Sequence, residues 1–263
     1  MNRAGITATA LAIMLAGACT PGQPASTPAV AADTITVMAY NIHHGEGMDS
    51  IVDLERLARL IAAQQPDLVA VQEVDSSTER TGRVDQALRL AGLTGLRHAF
   101  GPFMPYQGGA YGMAVLTRLP VVATENLRLP DGEEPRTALS IRVTSPSGRE
   151  IRFVGIHFYR TEQERLAQAG RLLELISGDT APVILAGDFN SEPGTAVIDS
   201  LARSFTILGK GDDAFTFPSF GAEREIDFFM IRPGAAFEVI DERVLDEPVA
   251  SDHRAIVARL VIR

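Results

Sequence analysis

Along this chain, apolar runs of strand length stop six times at a polar or ionisable side chain. Thr34–Tyr40 ends in Asn41, Leu68–Gln72 in Glu73, and Phe153–Ile156 in His157. Val183–Gly187 ends in Asp188-Phe189-Asn190, Glu225-Ile226 leads to Asp227, and Val249-Ala250-Ser251 leads to Asp252-His253. In α/β sheets the strand ends grip ligands, because the sheet fixes their geometry and its edge is open. Gathered at one edge, these residues supply four carboxylates, two imidazoles and two amides. Crowded carboxylates repel one another, so a cation is implied. Hard oxygen donors without cysteine select Mg²⁺, Mn²⁺ or Ca²⁺ over zinc. Singly, each residue has an ordinary reading as a turn Asn or Asp or a surface His. The set weakens that reading, since Gly-Asp-Phe-Asn and Ser-Asp-His place several acceptors within a few positions.

The intervening segments predict alternating strands and helices. Asp53–Gln65 puts Leu54, Leu57, Ala58 and Ile61 on one helical face. Arg83–Ala91 reads as a short helix, and Thr161-x-x-Glu164 as a capping box opening a helix with Leu166, Ala169, Leu173 and Ile176 on one side. Strands are expected at 113–117, 121–127, 137–143, 150–156, 182–186, 226–231, 239–244 and 255–261, with a turn at Pro146-Ser147-Gly148. Helices interspersed among strands without strict alternation point to a layered α/β fold with mixed sheets. One domain is expected over residues 34–263, with no second linker and no internal repeat.

The first residues predict export. Met1-Asn2-Arg3 is a short positive start, Ala4–Ala18 is small and apolar, and Cys19, the sole cysteine, follows Leu15-Ala16-Gly17-Ala18. This is the layout of a signal peptide over residues 1–18. Cleavage after Ala18 suits ordinary signal peptidase. It also suits a lipobox in which Cys19 becomes a lipidated first residue, with Ala16 where Leu is usual. Residues 19–33, rich in Pro, Ala and Ser, read as a linker. A lipoprotein on a membrane is favoured over a periplasmic or secreted protein. The formal net charge of −9 and the single lysine, Lys210, lower the expectation of a nucleic-acid partner. A monomer is expected.

Met38-Ala-Tyr-Asn41-Ile, Val71-Gln-Glu73-Val, Gly187-Asp188-Phe-Asn190-Ser-Glu-Pro193, Ile226-Asp227-Phe and Ser251-Asp252-His253 resemble, in order, the motifs of the endonuclease/exonuclease/phosphatase family. Tyr111–Pro120 and Glu134-Pro-Arg136 resemble its bacterial hydrolase branch. Gly155-Ile-His157-Phe stands where the family commonly has Thr-His-Leu. The resemblance implies a four-layer α/β sandwich, two mixed β-sheets face to face flanked by helices. It further implies a metal-dependent phosphoric ester hydrolase using Mg²⁺ or Mn²⁺ for in-line attack of water on a phosphate ester. By the same resemblance Glu73, Asn41 and Asp252 are the metal residues. Asp188 activates the water, Asn190 holds it or the phosphate, Asp227 orients His253 on the phosphate, and His157 is the second imidazole. Arg80 and Arg136 are either phosphate contacts or salt-bridged residues; Tyr111 lies at the cleft or caps a strand. A phosphodiesterase or phosphatase is the expected activity, a secreted nuclease on DNA or RNA the alternative, and a non-catalytic phosphate- or lipid-binding module the remaining reading.

Overall fold

The computed structural model describes Met1 and residues 33–232 and 236–263. The signal segment, Cys19 and the linker up to residue 32 lie outside the described residues. Twelve strands and four α-helices follow in chain order: β1 (Asp33–Asn41), α1 (Leu54–Ala63), β2 (Leu68–Ser76), α2 (Gln86–Thr94), β3 (Arg97–Tyr106), β4 (Gly109–Thr117), β5 (Val121–Arg128), β6 (Thr137–Thr144), β7 (Glu150–His157), α3 (Glu162–Ile176), β8 (Val183–Asp188), α4 (Ala196–Ala202), β9 (Thr206–Ile207), β10 (Asp227–Ile231), β11 (Phe237–Val244) and β12 (Ile256–Ile262). They form two six-stranded sheets, ordered β11-β12-β1-β2-β4-β3 and β5-β6-β7-β8-β10-β9.

The period-2 alternation of strand side chains builds the layers. On β1, Ile35, Val37 and Ala39 join a core shared with Ile141 and Phe153 of the second sheet, while Met38 and Tyr40 point outward to Leu57 and Ile61 of α1. A third cluster packs the outer face of the second sheet against Leu172 of α3 and Val197 of α4. The result is the expected four-layer α/β sandwich of two mixed sheets flanked by helices. Among the described residues no helix is long and apolar enough to cross a membrane.

Asp33, assigned to the linker from sequence, is instead the first residue of β1. Its carboxylate accepts the Ser147 N–H at 2.9 Å and both nearby hydroxyls, of Ser145 and Ser147, which ties the strand's start to the β6–β7 turn. The α3 face is rotated from expectation: Gln168, Ala169, Leu172 and Ile176 are buried and Leu166 is exposed. Gln168 is drawn inward because its Oε1 accepts the Tyr159 N–H (3.0 Å). The Glu164 carboxylate accepts from the Glu133 N–H (2.7 Å), so the capping pair also fastens the β5–β6 loop. β3 escaped the sequence pattern because it is an edge strand carrying Pro102 and Pro105, with mixed exposure and a bulge in its pairing with β4.

Candidate active site

Two parallel pairs set the site. β1 and β2 run parallel with Asn41 opposite Gln72, and β7 and β8 run parallel with His157 opposite Asp188. β10 runs antiparallel to β8 with Asp227 opposite Asp188, so a strand start meets strand ends at the same edge. Register sets His157, Asp188 and Asp227 side by side in one sheet, and the face-to-face packing of the two sheets brings Asn41 to them.

Glu73 arrives by a distortion. The β2–β4 pairing slips between Val71 and Val74, and Glu73 has φ +57°, a left-handed conformation rare for such a side chain. A bulge re-aims the side chain that it carries. Here it turns the carboxylate toward Asn41, whose Nδ2 donates to Glu73 Oε1 (3.1 Å) and to Asp188 Oδ2 (3.2 Å). Gly187, with φ +140°, lets β8 approach β7 closely: a Cβ there would fall 2.2 Å from the Ile156 carbonyl oxygen and 2.7 Å from Gln72 Nε2.

Asp188 Oδ2 lies 3.6 Å from His157 Nε2 and 3.7 Å from His253 Nε2. His253 Nδ1 is 3.0 Å from Asp227 Oδ2, and the Phe217 ring packs 4.8 Å from the imidazole. Asn190 donates its backbone N–H to Asp188 Oδ1 (2.7 Å) and its amide to the Phe158 carbonyl (3.0 Å). Ser251 Oγ donates to the Asn41 carbonyl (2.7 Å) and lies 3.3 Å from Asp252 Oδ1, which joins the Ser-Asp-His loop to β1. The structure thus brings Asn41, Glu73, His157, Asp188, Asn190, Asp227 and His253 into one contact network, with Asp252 attached through Ser251.

The environments of the two imidazoles favour different charge states. Burial pushes His157 well below the ordinary histidine value, and the charges of Arg136 and His253 push it further. Burial also works against the charged form of His253, but the carboxylates of Asp227 and Asp188 outweigh it and raise the ring to about 10. Burial raises Asp188 to about 7, against the pull of His253. At neutral pH the site therefore holds one imidazolium, one neutral imidazole and a carboxyl close to its midpoint.

The two arginines weighed from sequence are salt-bridged and also border the site. Arg80 grips Asp75 through two bonds of 2.7 and 2.8 Å, and Arg136 pairs with Glu134. Both guanidiniums lie over the Tyr111 ring, at 5.4 and 5.9 Å. Sequence reasoning missed Thr216 and Phe217, whose loop supports Asp227 and His253. The Thr-Phe-Pro run at 216–218 held that signal only in combination with the fold.

The family model for the endonuclease/exonuclease/phosphatase family matches residues 38–253. The chain belongs to that family. Its members are hydrolases that act on phosphate esters, generally with divalent metals. YbhP of Escherichia coli strain K12, itself uncharacterized, is 31% identical over 166 residues, 59% of this chain and 66% of that protein. The chain thus matches just under two thirds of that relative's length. A family structure from Beutenbergia cavernae superposes with a TM-score of 0.70 at 23% identity, covering 88% of this chain and 72% of that one. A mannosyl-6-phosphatase from Bacteroides thetaiotaomicron gives 0.68 at 19%, covering 87% and 100%.

The residues of this family member fit a divalent cation. Glu73 and Asp188 converge on one amide nitrogen of Asn41, leaving two carboxylates close together. Asp188, Asp227 and His253 also bring one ligand atom each within 4.8 Å of one another. Asp227 Oδ1 is buried with no hydrogen-bond partner among the described residues, so acceptor capacity is unused.

Proposed function

We propose that this family member is an exported, divalent-metal-dependent phosphoesterase that cleaves phosphate esters by in-line attack of water. The observation that carries the reading is the position of Asp188 Oδ2, within 4 Å of both His157 Nε2 and His253 Nε2 and hydrogen-bonded by Asn41. Glu73, with Asn41 and Asp188, would hold the cation, and Asp252 stands nearby on the Ser251 link. When bound, the cation supplies Lewis-acid stabilisation of phosphoryl oxygens. His253, charged and held by Asp227, donates its Nε2–H to a phosphoryl oxygen as negative charge grows there. Asp188 takes a proton from the attacking water as its oxygen bonds to phosphorus and the ester oxygen leaves on the opposite side. Asn190 fixes the Asp188 carboxylate, and neutral His157 offers the second imidazole to the phosphate.

A nuclease reading finds less support. Three arginines of the domain are paired to acids, Arg56 to Asp49, Arg83 to Glu79 and Arg224 to Glu192, which weakens the field they offer a polyanion. Export is supported by the charged start, apolar stretch and Cys19 of the sequence.

The test is hydrolysis of bis(p-nitrophenyl) phosphate with Mg²⁺ or Mn²⁺, beside EDTA, Asp188→Ala and His253→Ala. Metal-dependent turnover lost in both variants is expected. Folded protein that binds no metal would refute the assignment.

A further inference from the structure

Where the edge strands β3 and β5 of the two sheets meet, the sandwich opens into a cavity of about 460 Å³. Its walls include Phe103, Met104 and Pro105 of β3, Asn126 and Arg128 of β5, and Thr137 of β6. The cavity lies at the catalytic end of both sheets. Thr137 opens β6, whose antiparallel neighbour β7 closes on His157. The β3–β4 register slips between Pro102 and Met104, and the residue passed over is Phe103. That bulge leaves Phe103 3% exposed in the core between the sheets. Its ring lies 6.1 Å from the His157 imidazole and 4.9 Å from the Arg136 guanidinium. One wall of the cavity therefore packs beside a histidine of the site.

The lining has two properties that a bound molecule explains. Thr137 is 3% exposed, and its Oγ1 is buried with no hydrogen-bond partner among the described residues. A buried hydroxyl left unpaired is destabilising, and a polar atom of a ligand offsets that loss. The polar groups of β5, by contrast, are already engaged. Arg128 Nη2 donates to both Asp131 oxygens (2.8 and 2.9 Å), and Asn126 Nδ2 donates to the Pro102 carbonyl (3.0 Å). What remains is the Phe103 ring, Met104 and the rigid Pro105 ring, an uncharged surface that suits a flat apolar group. We propose that this cavity seats the organic group of the ester. The substrate is then a small phosphoester of an uncharged, ring-bearing alcohol, with Thr137 bonding one polar atom of that group. The phosphate end of this assignment rests on the phosphoesterase reading above; the cavity as a seat for a ring stands apart from it.

Full-length protein with Mn²⁺ is titrated calorimetrically with methylphosphonate, phenylphosphonate and 3-hydroxyphenylphosphonate, non-hydrolysable probes that share one anionic head. Phenylphosphonate should bind at least about tenfold more tightly than methylphosphonate, through burial of the ring. Met104→Trp, which fills the cavity, should remove that preference while methylphosphonate binds as it does to wild type. Thr137→Val, close in shape but without the hydroxyl, should cancel an advantage of about fivefold of the hydroxyphenyl over the phenyl probe and leave phenylphosphonate unchanged. Hydrolysis of bis(p-nitrophenyl) phosphate is followed in the same samples. Equal affinity for the methyl and phenyl probes would overturn the cavity as the seat, as would a phenyl preference that survives Met104→Trp; either leaves the phosphoesterase reading intact if the diester still turns over. Should Met104→Trp lose methylphosphonate as well, its fold has failed and Thr137→Val decides: a hydroxyphenyl advantage that persists there overturns the assignment. Ring-selective binding without turnover of the diester would overturn the phosphoesterase reading instead.

Discussion

His253 Nδ1 lies 3.0 Å from Asp227 Oδ2, and its Nε2 faces Asp188 Oδ2 at 3.7 Å. One carboxylate orients the ring and the other faces its second nitrogen, which also lies 3.4 Å from Asn41 Nδ2. Asp227→Asn keeps the shape but replaces an acceptor with an amide that can hold the wrong tautomer. The proposed turnover should fall by about 100-fold or more, mostly in kcat, as when a catalytic His loses its orienting carboxylate. The raised titration of His253 should fall with it. A wild-type pH–rate profile for Asp227→Asn would show that Asp227 does not act through His253.

The two site histidines should titrate far apart. In metal-free protein, ¹⁵N spectra of the imidazoles should show His253 as imidazolium up to about pH 10, the raised value its two carboxylates impose. His157 should remain neutral well below the ordinary histidine range. The linkage has a definite sign: the folded pKa of His253 lies above the unfolded value, so its stabilisation is complete below about pH 6.5 and is lost as pH rises toward about 10. His253→Gln should remove that slope from a chemical-denaturation series between pH 6.5 and 10.

The sandwich was legible because it is written in short-range patterns. Strand runs, the Leu54–Ile61 helix face and the polar residues closing each strand all depend on neighbours in sequence. β3 was not legible, since an edge strand has one partner and tolerates Pro102 and Pro105. Gln168 displaced Leu166 from the α3 interior through a hydrogen bond to Tyr159, a contact that no period encodes. At the site, Asp188 and His253 were readable from their motifs. Arg136, between Phe103 and Tyr159 at 4.9 and 5.2 Å from the rings, owes its place to three separate strands and loops. The aim of Glu73 depends on a bulge, visible once β2 is paired with β4.

Glu242 should be a stability liability above neutral pH. Both its carboxylate oxygens are buried without a hydrogen-bond partner among the described residues, and burial raises its pKa to about 7, with Glu225 adding to the shift and Lys210 opposing it. Lys210 is itself engaged with Glu225 at 2.5 Å. A carboxyl raised in the folded state favours the protonated form, so its cost grows as pH climbs from about 4.5 to 7. Glu242→Gln should stabilise the protein by roughly 2 kcal/mol at pH 8 and by little at pH 4, in urea titrations. Equal effects at both pH values would contradict the assignment.

Gly187→Ala should damage both fold and site. The added methyl would meet the Ile156 carbonyl oxygen, which is backbone and cannot swing aside, at a φ that L-residues rarely adopt. A loss of about 2–4 kcal/mol is expected, typical of overpacking combined with backbone strain. Since Gly187 precedes Asp188, the surviving folded fraction should also turn over more slowly. Wild-type thermal stability in this variant would mean that β7 and β8 can separate without cost.

Glu73 sets stability against the proposed chemistry. It holds a left-handed backbone at a bulge and brings its carboxylate within reach of Asn41, which also bonds Asp188. Strain of that kind costs on the order of 1 kcal/mol or more and persists where the surroundings impose it. Asn tolerates the left-handed region and carries no charge. Glu73→Asn should therefore unfold at equal or higher denaturant concentration than wild type in the absence of metal. The same variant should lack the thermal stabilisation by Mg²⁺ or Mn²⁺ that is expected of the wild-type protein, and the proposed turnover should drop by about 100-fold or more. A variant less stable than wild type without metal would show that the Asn41 hydrogen bond outweighs the strain. One that still gains stability from metal would remove Glu73 from the cation site.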